Sequence, residues 1–337
     1  MTPAKLWLRI FVAGFLVISS LLVLTLATPI PYGDLSRIGL MSDREFGWTQ
    51  EPPKVAPEYL HAVPLDQADI VVIGDSFSMT HRWQSVLVKA GYKVTTAFWG
   101  QFDERLCGDF DAWLARAGFK GKLVIVESVE RILQERMRYT RSCETMKRPF
   151  AARTEPFAVP LEHVPGFALN WGAKLTSGLD TLKYTRAAKA TTADTVSTDR
   201  TKARTVVNGC EMFSHRLCNK ALFFGEDDEN GELPAADVAA MQAFTKSQTA
   251  FPMLWMVIPN KTTTYIDPSH SKAFVEAFKT SGLGPDLFAF TQEKKTRIRD
   301  FYFPNDTHLS MHGQLALGEL MLGEVRKIVP QPPSRTP

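Results

Sequence analysis

Apolar and polar positions alternate along this chain with several distinct periods. The stretch IFVAGFLVISSLLVLTLA, residues 10–27, carries no charge and is apolar on every face. Leu6 to Ala27 matches the roughly 20 apolar residues that cross a bilayer, so the pattern predicts an N-terminal transmembrane helix. From Ala68 the pattern changes. ADIVVIG, KLVIVESV and PMLWMVIPN are short apolar runs of strand length, and YKVTTAFWG alternates apolar and polar positions as a strand ending at Gly100 does. Helical spacing separates them: SMTHRWQSVLVKAG, stopped by Gly91, then RLCGDFDAWLARAG, ERILQERMRY, DVAAMQAFTKSQ and SKAFVEAFKTSG. Asn230-Gly231 predicts a turn between short strands, and GPDLFAF an approach to a last strand. MHGQLALGELMLGEVRKIV has the apolar face of a C-terminal helix. Strands alternating with helices predict an α/β fold with a central parallel sheet.

The pattern fails in two places. Residues 29–66 are rich in Pro and polar residues and read as a linker. Residues 145–205 show little periodicity, and KATTADTVSTDRTKART is nearly free of large apolar side chains, as in a mobile surface insertion. The expected organisation is an anchor at 1–28, a linker at 29–66, one domain at 67–330 carrying that insertion, and a disordered tail at 331–337.

Charge adds a direction. Lys5 and Arg9 precede the apolar run, so the positive flank stays in the cytoplasm and the rest is exported. A cleaved signal peptide, ending at Thr25-Leu26-Ala27, is the other reading and also exports the chain. The net charge of +3, without any arginine-rich stripe, gives no footprint for nucleic acid. Outside the cytoplasm the four cysteines meet oxidising conditions. Cys210 and Cys218 are spaced to close a small loop, which leaves Cys107 with Cys143. A metal held by Cys210, His215 and Cys218 is the rival, without a fourth ligand at a usual zinc spacing.

In a parallel α/β sheet, ligands bind at the carboxyl ends of the strands. GDSFS, WGQF, ESVER and PNKTTTY stand at those ends, and FPNDTHLS precedes the last helix. Ser76, Gly100, Arg131, Lys261 and the Asp306–His308 pair therefore converge on one expected crevice. Ser76 is either a nucleophile beside free N–H groups or, with Asp75 and Ser78, a helix-capping residue. Asp306 and His308, at i and i+2, point to one side of an extended segment. Asp306 can then orient the imidazole and leave Nε2 to take a serine proton. A turn residue followed by a Ser310 cap is the bland alternative, and a metal held by Asp306, His308 and His312 a third. Arg131 suits an anionic sugar or an ion pair with Glu130 or Glu127. Trp83 and Trp99 suit sugar stacking or core packing.

GDSFS after the first strand, taken with Asp-x-His before the last helix, resembles the SGNH (GDSL-like) hydrolase superfamily across residues 68–328. That resemblance implies a three-layer sandwich with Ser76 as nucleophile, His308 as base, Asp306 as its orienting acid, and an oxyanion hole from the Ser76 and Gly100 N–H groups. VIVESVER stands where the family carries Gly-x-Asn-Asp, and Asn305 stands where most members carry the acid. These departures resemble the alginate O-acetyltransferase branch (AlgX/AlgJ-like), which has GDSF, Asp-Thr-His and a Pro-x-Lys…Tyr segment. Here IPNKTTTYID supplies Lys261 and Tyr265, but the motif order is circularly permuted. The resemblance implies an O-acetyltransferase acting on an exported or cell-envelope polysaccharide, without a cofactor. It would sit in the bacterial inner membrane with its catalytic domain in the periplasm. An integral-membrane protein would deliver the acyl group. Arg131, Lys261 and Tyr265 would contact the substrate. An esterase with the same triad, or a non-catalytic polysaccharide-binding protein, are the alternatives.

Overall fold

The computed structural model describes residues 1–157, 163–190, 195–198 and 200–330. The tail read as disordered, 331–337, lies outside the described residues, as do residues 158–162, 191–194 and 199 of the expected insertion. The strands, in chain order, are β1 (Ile70–Gly74), β2 (Val94–Phe98), β3 (Leu123–Val129), β4 (Thr195–Ser197), β5 (Thr201–Thr205), β6 (Lys220–Phe224) and β7 (Met253–Ile258). They form a four-stranded sheet of order β2-β1-β3-β7, parallel throughout, and an antiparallel sheet of order β4-β5-β6. The chain divides into two compact units.

One unit comprises Glu51–His163, Glu226–Tyr302 and His308–Pro337, and holds the parallel sheet. All four runs read as strands are its strands. β1 and β7 are continuous apolar runs and β3 is largely so, because both faces of the sheet are covered, whereas β2 carries Thr95 and Thr96 and ends at the exposed Phe98. Val71, Ile73, Val124, Val126, Trp255 and Val257 join one core with Phe110, Leu133, Met137, Met241 and Phe274 of the surrounding helices. The alternate residues Ile70, Val72, Leu123 and Ile125 are fully buried as well. Helices Phe110–Arg116, Glu130–Arg141, Ala235–Ser247, Lys272–Ser281 and Met311–Ile328 occupy the expected stretches. Two expectations fail here. The helix after β1 starts only at Gln84, because Ser76–Trp83 is a series of turns with His81 at φ 55°. Leu287–Lys294, expected to lead into a strand, is a helix nucleated by the Asp286 side chain, which accepts from the Ala289 N–H.

The other unit comprises Met1–Gln50, Val164–Gly225 and Phe303–Thr307. Its first helix, Pro3–Leu26, is long and apolar enough to cross a membrane and buries none of its residues. The segment read as a linker is instead part of a core. Short helices Asp34–Gly39 and Asp43–Phe46 bury Leu35, Met41 and Phe46 against Ala188, Ala203 of β5 and Leu222 of β6. Helices this short leave no periodicity to read. The expected insertion is also structured, with helix Leu175–Ala190 and strands β4 and β5. That helix buries Thr181, Thr185 and Ala188, so its inner face lacks the large apolar residues that would have marked it. β6 pairs with β5 and runs into the turn Gly225–Asp228, so Asn230-Gly231 joins no pair of strands.

Both disulfides pair as expected, Cys107 with Cys143 and Cys210 with Cys218. The thiols that a metal would need are thereby consumed, and His215 Nε2 donates to the Lys220 carbonyl at 2.7 Å. The two bridges close loops of different length, 36 and 8 residues in sequence separation. Replacing both cysteines of the longer loop by Ala should cost about 4 kcal/mol and of the shorter about 2.5 kcal/mol, from loop-closure entropy. Denaturant unfolding of the two double variants checks this order.

Candidate active site

The site starts where β1 ends. Gly74 admits the turn because a Cβ there would strike the Ser78 side chain and Glu127 Oε2. Asp75 then fixes the turn from inside. Its Oδ1 accepts the Phe77 N–H at 3.1 Å, and its carbonyl accepts the N–H groups of Ser78 and Met79. Its Oδ2 accepts the Val129 N–H at 2.8 Å, which ties the turn to the end of β3. Asp75 and Phe77 are buried, while Ser76 between them is exposed. Ser76 caps no helix, since the next one begins eight residues later. No hydrogen bond takes up its N–H among the described residues.

Ser76 Oγ lies 2.7 Å from His308 Nε2. The imidazole packs beside the Phe77 ring, 4.7 Å between centroids. Its chain segment is held in place by an antiparallel bridge between Tyr302 and Leu309 and by the Ser310 N–H on the Phe301 carbonyl. Ser310 Oγ caps helix Met311–Ile328 through the Gly313 N–H, the cap named in the bland alternative for this segment. Gln314 of that helix donates to the Phe77 carbonyl, so the segments that carry His308 and Ser76 are fastened to one framework. His312 Nε2 donates to the Glu51 carbonyl at 3.1 Å.

Asp306 belongs to the other unit, two residues from His308 along the chain. There it meets Asp34, which the sequence reading missed. The Asp34 N–H donates to Asp306 Oδ2 at 2.9 Å, and the Asp34 carboxylate accepts the Thr307 N–H at 2.9 Å and hydroxyl at 2.6 Å. The Leu35 and Ser36 N–H groups both point at the Asn305 carbonyl. Asn305 is fully buried, with its side chain donating to Asp43. Asn305 thus serves as a peg for helix Asp34–Gly39, which accounts for an amide rather than an acid at that position.

Behind the nucleophile turn lies a buried charge cluster. Arg136 Nη1 contacts Asp75 Oδ2 at 3.0 Å and Ser128 Oγ at 2.8 Å, and Nη2 contacts Glu104 at 2.8 Å. Its guanidinium lies over the Trp99 ring, 4.6 Å from the centroid. Glu127 Oε2 accepts the Asp75 N–H and the Ser78 hydroxyl, both at 2.8 Å. Burial opposes the charge on Asp75, but Arg136 and the N–H groups of Val129 and Phe77 outweigh it and hold the carboxyl below its usual range. Burial, and then the adjacent Asp75 charge, push Glu127 well above the usual carboxylate range. The pair therefore shares one negative charge, on Asp75, and Arg136 neutralises it. Glu127 was legible as one acid in an otherwise apolar strand. Arg136 and Glu104 gave no such signal.

The remaining candidates divide. Gly74 pairs with Phe98 across β1 and β2, so Ser76 and Gly100 each stand two residues beyond the same rung. Gly100 is the second residue of the turn Trp99–Phe102, where an N–H has no acceptor within the turn. Arg131 is tied down by Asp227 at 3.5 Å and Asn260, not by Glu130 or Glu127. Lys261 is 1% exposed and Tyr265 7%. The Tyr265 oxygen accepts the Tyr302 N–H, and burial pushes its phenol up. Trp83 and Trp99 are fully buried, donating to Ser78 Oγ and the Glu127 carbonyl.

Two outcomes follow from the cluster. Arg136→Met should cost ~3–5 kcal/mol in denaturant unfolding, because it strands the Asp75 charge in the interior. Glu127→Gln should flatten the pH dependence of stability. Between the ordinary carboxylate range and its raised folded value, native Glu127 keeps a proton that the unfolded chain has released. Stability therefore falls as pH rises through that window, and the amide removes this slope. Unfolding midpoints from about pH 5 to pH 8 check it. Comparison with known proteins finds no match for this chain, whether among family models, curated proteins or solved structures.

Proposed function

We propose that the chain is a serine O-acyltransferase, with acetyl the expected group, that modifies an exported or cell-envelope polysaccharide. The observation that carries this reading is the 2.7 Å contact between Ser76 Oγ and His308 Nε2, with Ser76 exposed on a turn whose other residues are locked. As Oγ attacks the acyl carbonyl of the donor, His308 takes the hydroxyl proton and passes it to the leaving group. A sugar hydroxyl then attacks the acyl-serine, gives its proton to His308, and Ser76 Oγ recovers that proton as it departs. Asp306 is the acid assigned to orient His308, from its place two residues away on the chain. The N–H groups of Ser76 and Gly100 are the oxyanion donors, each free of an acceptor in its own turn. An SGNH-type three-layer sandwich is the fold this assignment implies.

The helix Pro3–Leu26 is the inner-membrane anchor in this reading, with the catalytic residues in the periplasm. Acyl-coenzyme donors are confined to the cytoplasm, so an integral-membrane protein would deliver the acyl group. Arg131, Lys261 and Tyr265, proposed from sequence as substrate contacts, fit a framework role better because they are tied to protein partners or buried. A second reading, a periplasmic esterase, is favoured by the exposure of Ser76, since water reaches the acyl-serine as readily as a sugar does.

The test uses the full chain with p-nitrophenyl acetate, with and without acidic and neutral polysaccharides. Ser76→Ala and His308→Ala should each lower turnover by about a thousandfold or more. Acetyl transferred to glycan identifies the transferase, and free acetate alone identifies the esterase. No turnover and no covalent adduct with a serine-directed phosphonate at Ser76 overturns both.

A further inference from the structure

In the unit that carries the N-terminal helix, helix Leu175–Ala190 is built inside out. It buries Thr181, Thr185 and Ala188, at 8%, 7% and 1% exposure. It turns Leu175, Leu179 and Leu182 outward, and Leu179 is 58% exposed. These leucines follow the i, i+4, i+7 spacing of one helix face, and exposed Arg186 continues the same stripe at i+11. Just before them, Phe167 is 83% and Trp171 79% exposed. A helix dissolved in water would show the opposite arrangement.

The location of this stripe says what covers it. The Asn170 N–H donates to the Leu26 carbonyl at 2.8 Å, and the Asn170 side-chain amide to the Pro29 carbonyl. Gly178, beside Leu179, lies against Thr28, where a Cβ would meet the Thr28 hydroxyl. The segment is thus fastened to the C-terminal end of helix Pro3–Leu26. At 1.5 Å per residue that helix is about 36 Å long, so in a membrane its end reaches the edge of a hydrocarbon core ~30 Å thick. Aromatic rings and a leucine stripe ending in a cation suit the layer between acyl chains and headgroups.

We infer that residues 167–186 form a membrane-surface element, lying in the lipid headgroup layer beside the outer end of the anchor, with Phe167, Trp171, Leu175, Leu179 and Leu182 in lipid. This rests on the proposal that Pro3–Leu26 crosses the bilayer. Its effect is to hold the exported unit against the membrane rather than on a free tether. The occupant is the bilayer that the neighbouring helix already enters.

The test places p-benzoylphenylalanine at Trp171, at Leu179, or at Val207, an exposed control in the same unit. Each full-length chain is reconstituted in phosphatidylethanolamine–phosphatidylglycerol vesicles. Alkaline carbonate extraction first reports the anchor, and irradiation then reports lipid contact. Retention with lipid adducts at 171 and 179, about tenfold above those at 207, is the expected result. Retention with no such excess, or with adducts to protein alone in native membranes, overturns the surface element and leaves the anchor standing. Extraction by carbonate overturns the anchor, and the surface element with it.

Discussion

A carboxylate cut off from water must meet a compensating charge or take up a proton. Both solutions stand side by side behind Ser76. Asp75 keeps its charge because Arg136 and two backbone N–H groups converge on it. Burial, and then the adjacent Asp75 charge, push the Glu127 carboxyl well above its usual range. From this pair hang the turn after β1, the end of β3 and, through the guanidinium on Trp99, the turn after β2. The exposed serine sits on a loop with little freedom because the residues on either side of it are anchored below.

Rigidity of this kind suits a nucleophile. Much of a serine enzyme's barrier reduction comes from donors already aimed before the reaction begins. Here the buried ion pair and the Asx-type turn of Asp75 keep the Ser76 N–H clear of internal acceptors. His308 gains its position in another way, from backbone bonds to Phe301 and from the capped helix that follows. The two halves of the dyad therefore depend on different devices, one electrostatic and one made of backbone hydrogen bonds.

The second unit draws on segments that look unpromising by composition. Asp34 takes both the Thr307 N–H and its hydroxyl, while the backbone around it grips Asn305 and Asp306. A stretch rich in Pro and polar residues thereby fixes the backbone of residues 305–307. In the same unit a helix with small residues inside and leucines outside is tied to the end of the apolar N-terminal helix.

The local pattern by itself determined the four buried strands, their parallel α/β class, the apolar N-terminal helix and both cysteine pairings. Each but one rests on a local signal: a strand-length pattern, a charge-free stretch of membrane length, or the short loop between Cys210 and Cys218; Cys107 with Cys143 then follows by elimination. The same signals placed Ser76 and His308 at chain positions where a nucleophile and base can meet. Tertiary structure decided what local pattern does not encode. Short helices such as Asp34–Gly39 gain their stability from the core they join and carry no period of their own. Leu287–Lys294 became a helix because a side-chain cap at Asp286 outweighed its aromatic strand-like composition. Arg131, Lys261 and Tyr265 read as ligand-facing, and only packing shows them bonded to protein or buried. The roles of Arg136, Glu127 and Asp34 are set by partners 61, 52 and 273 residues away, because a buried charge takes its meaning from what the fold brings beside it.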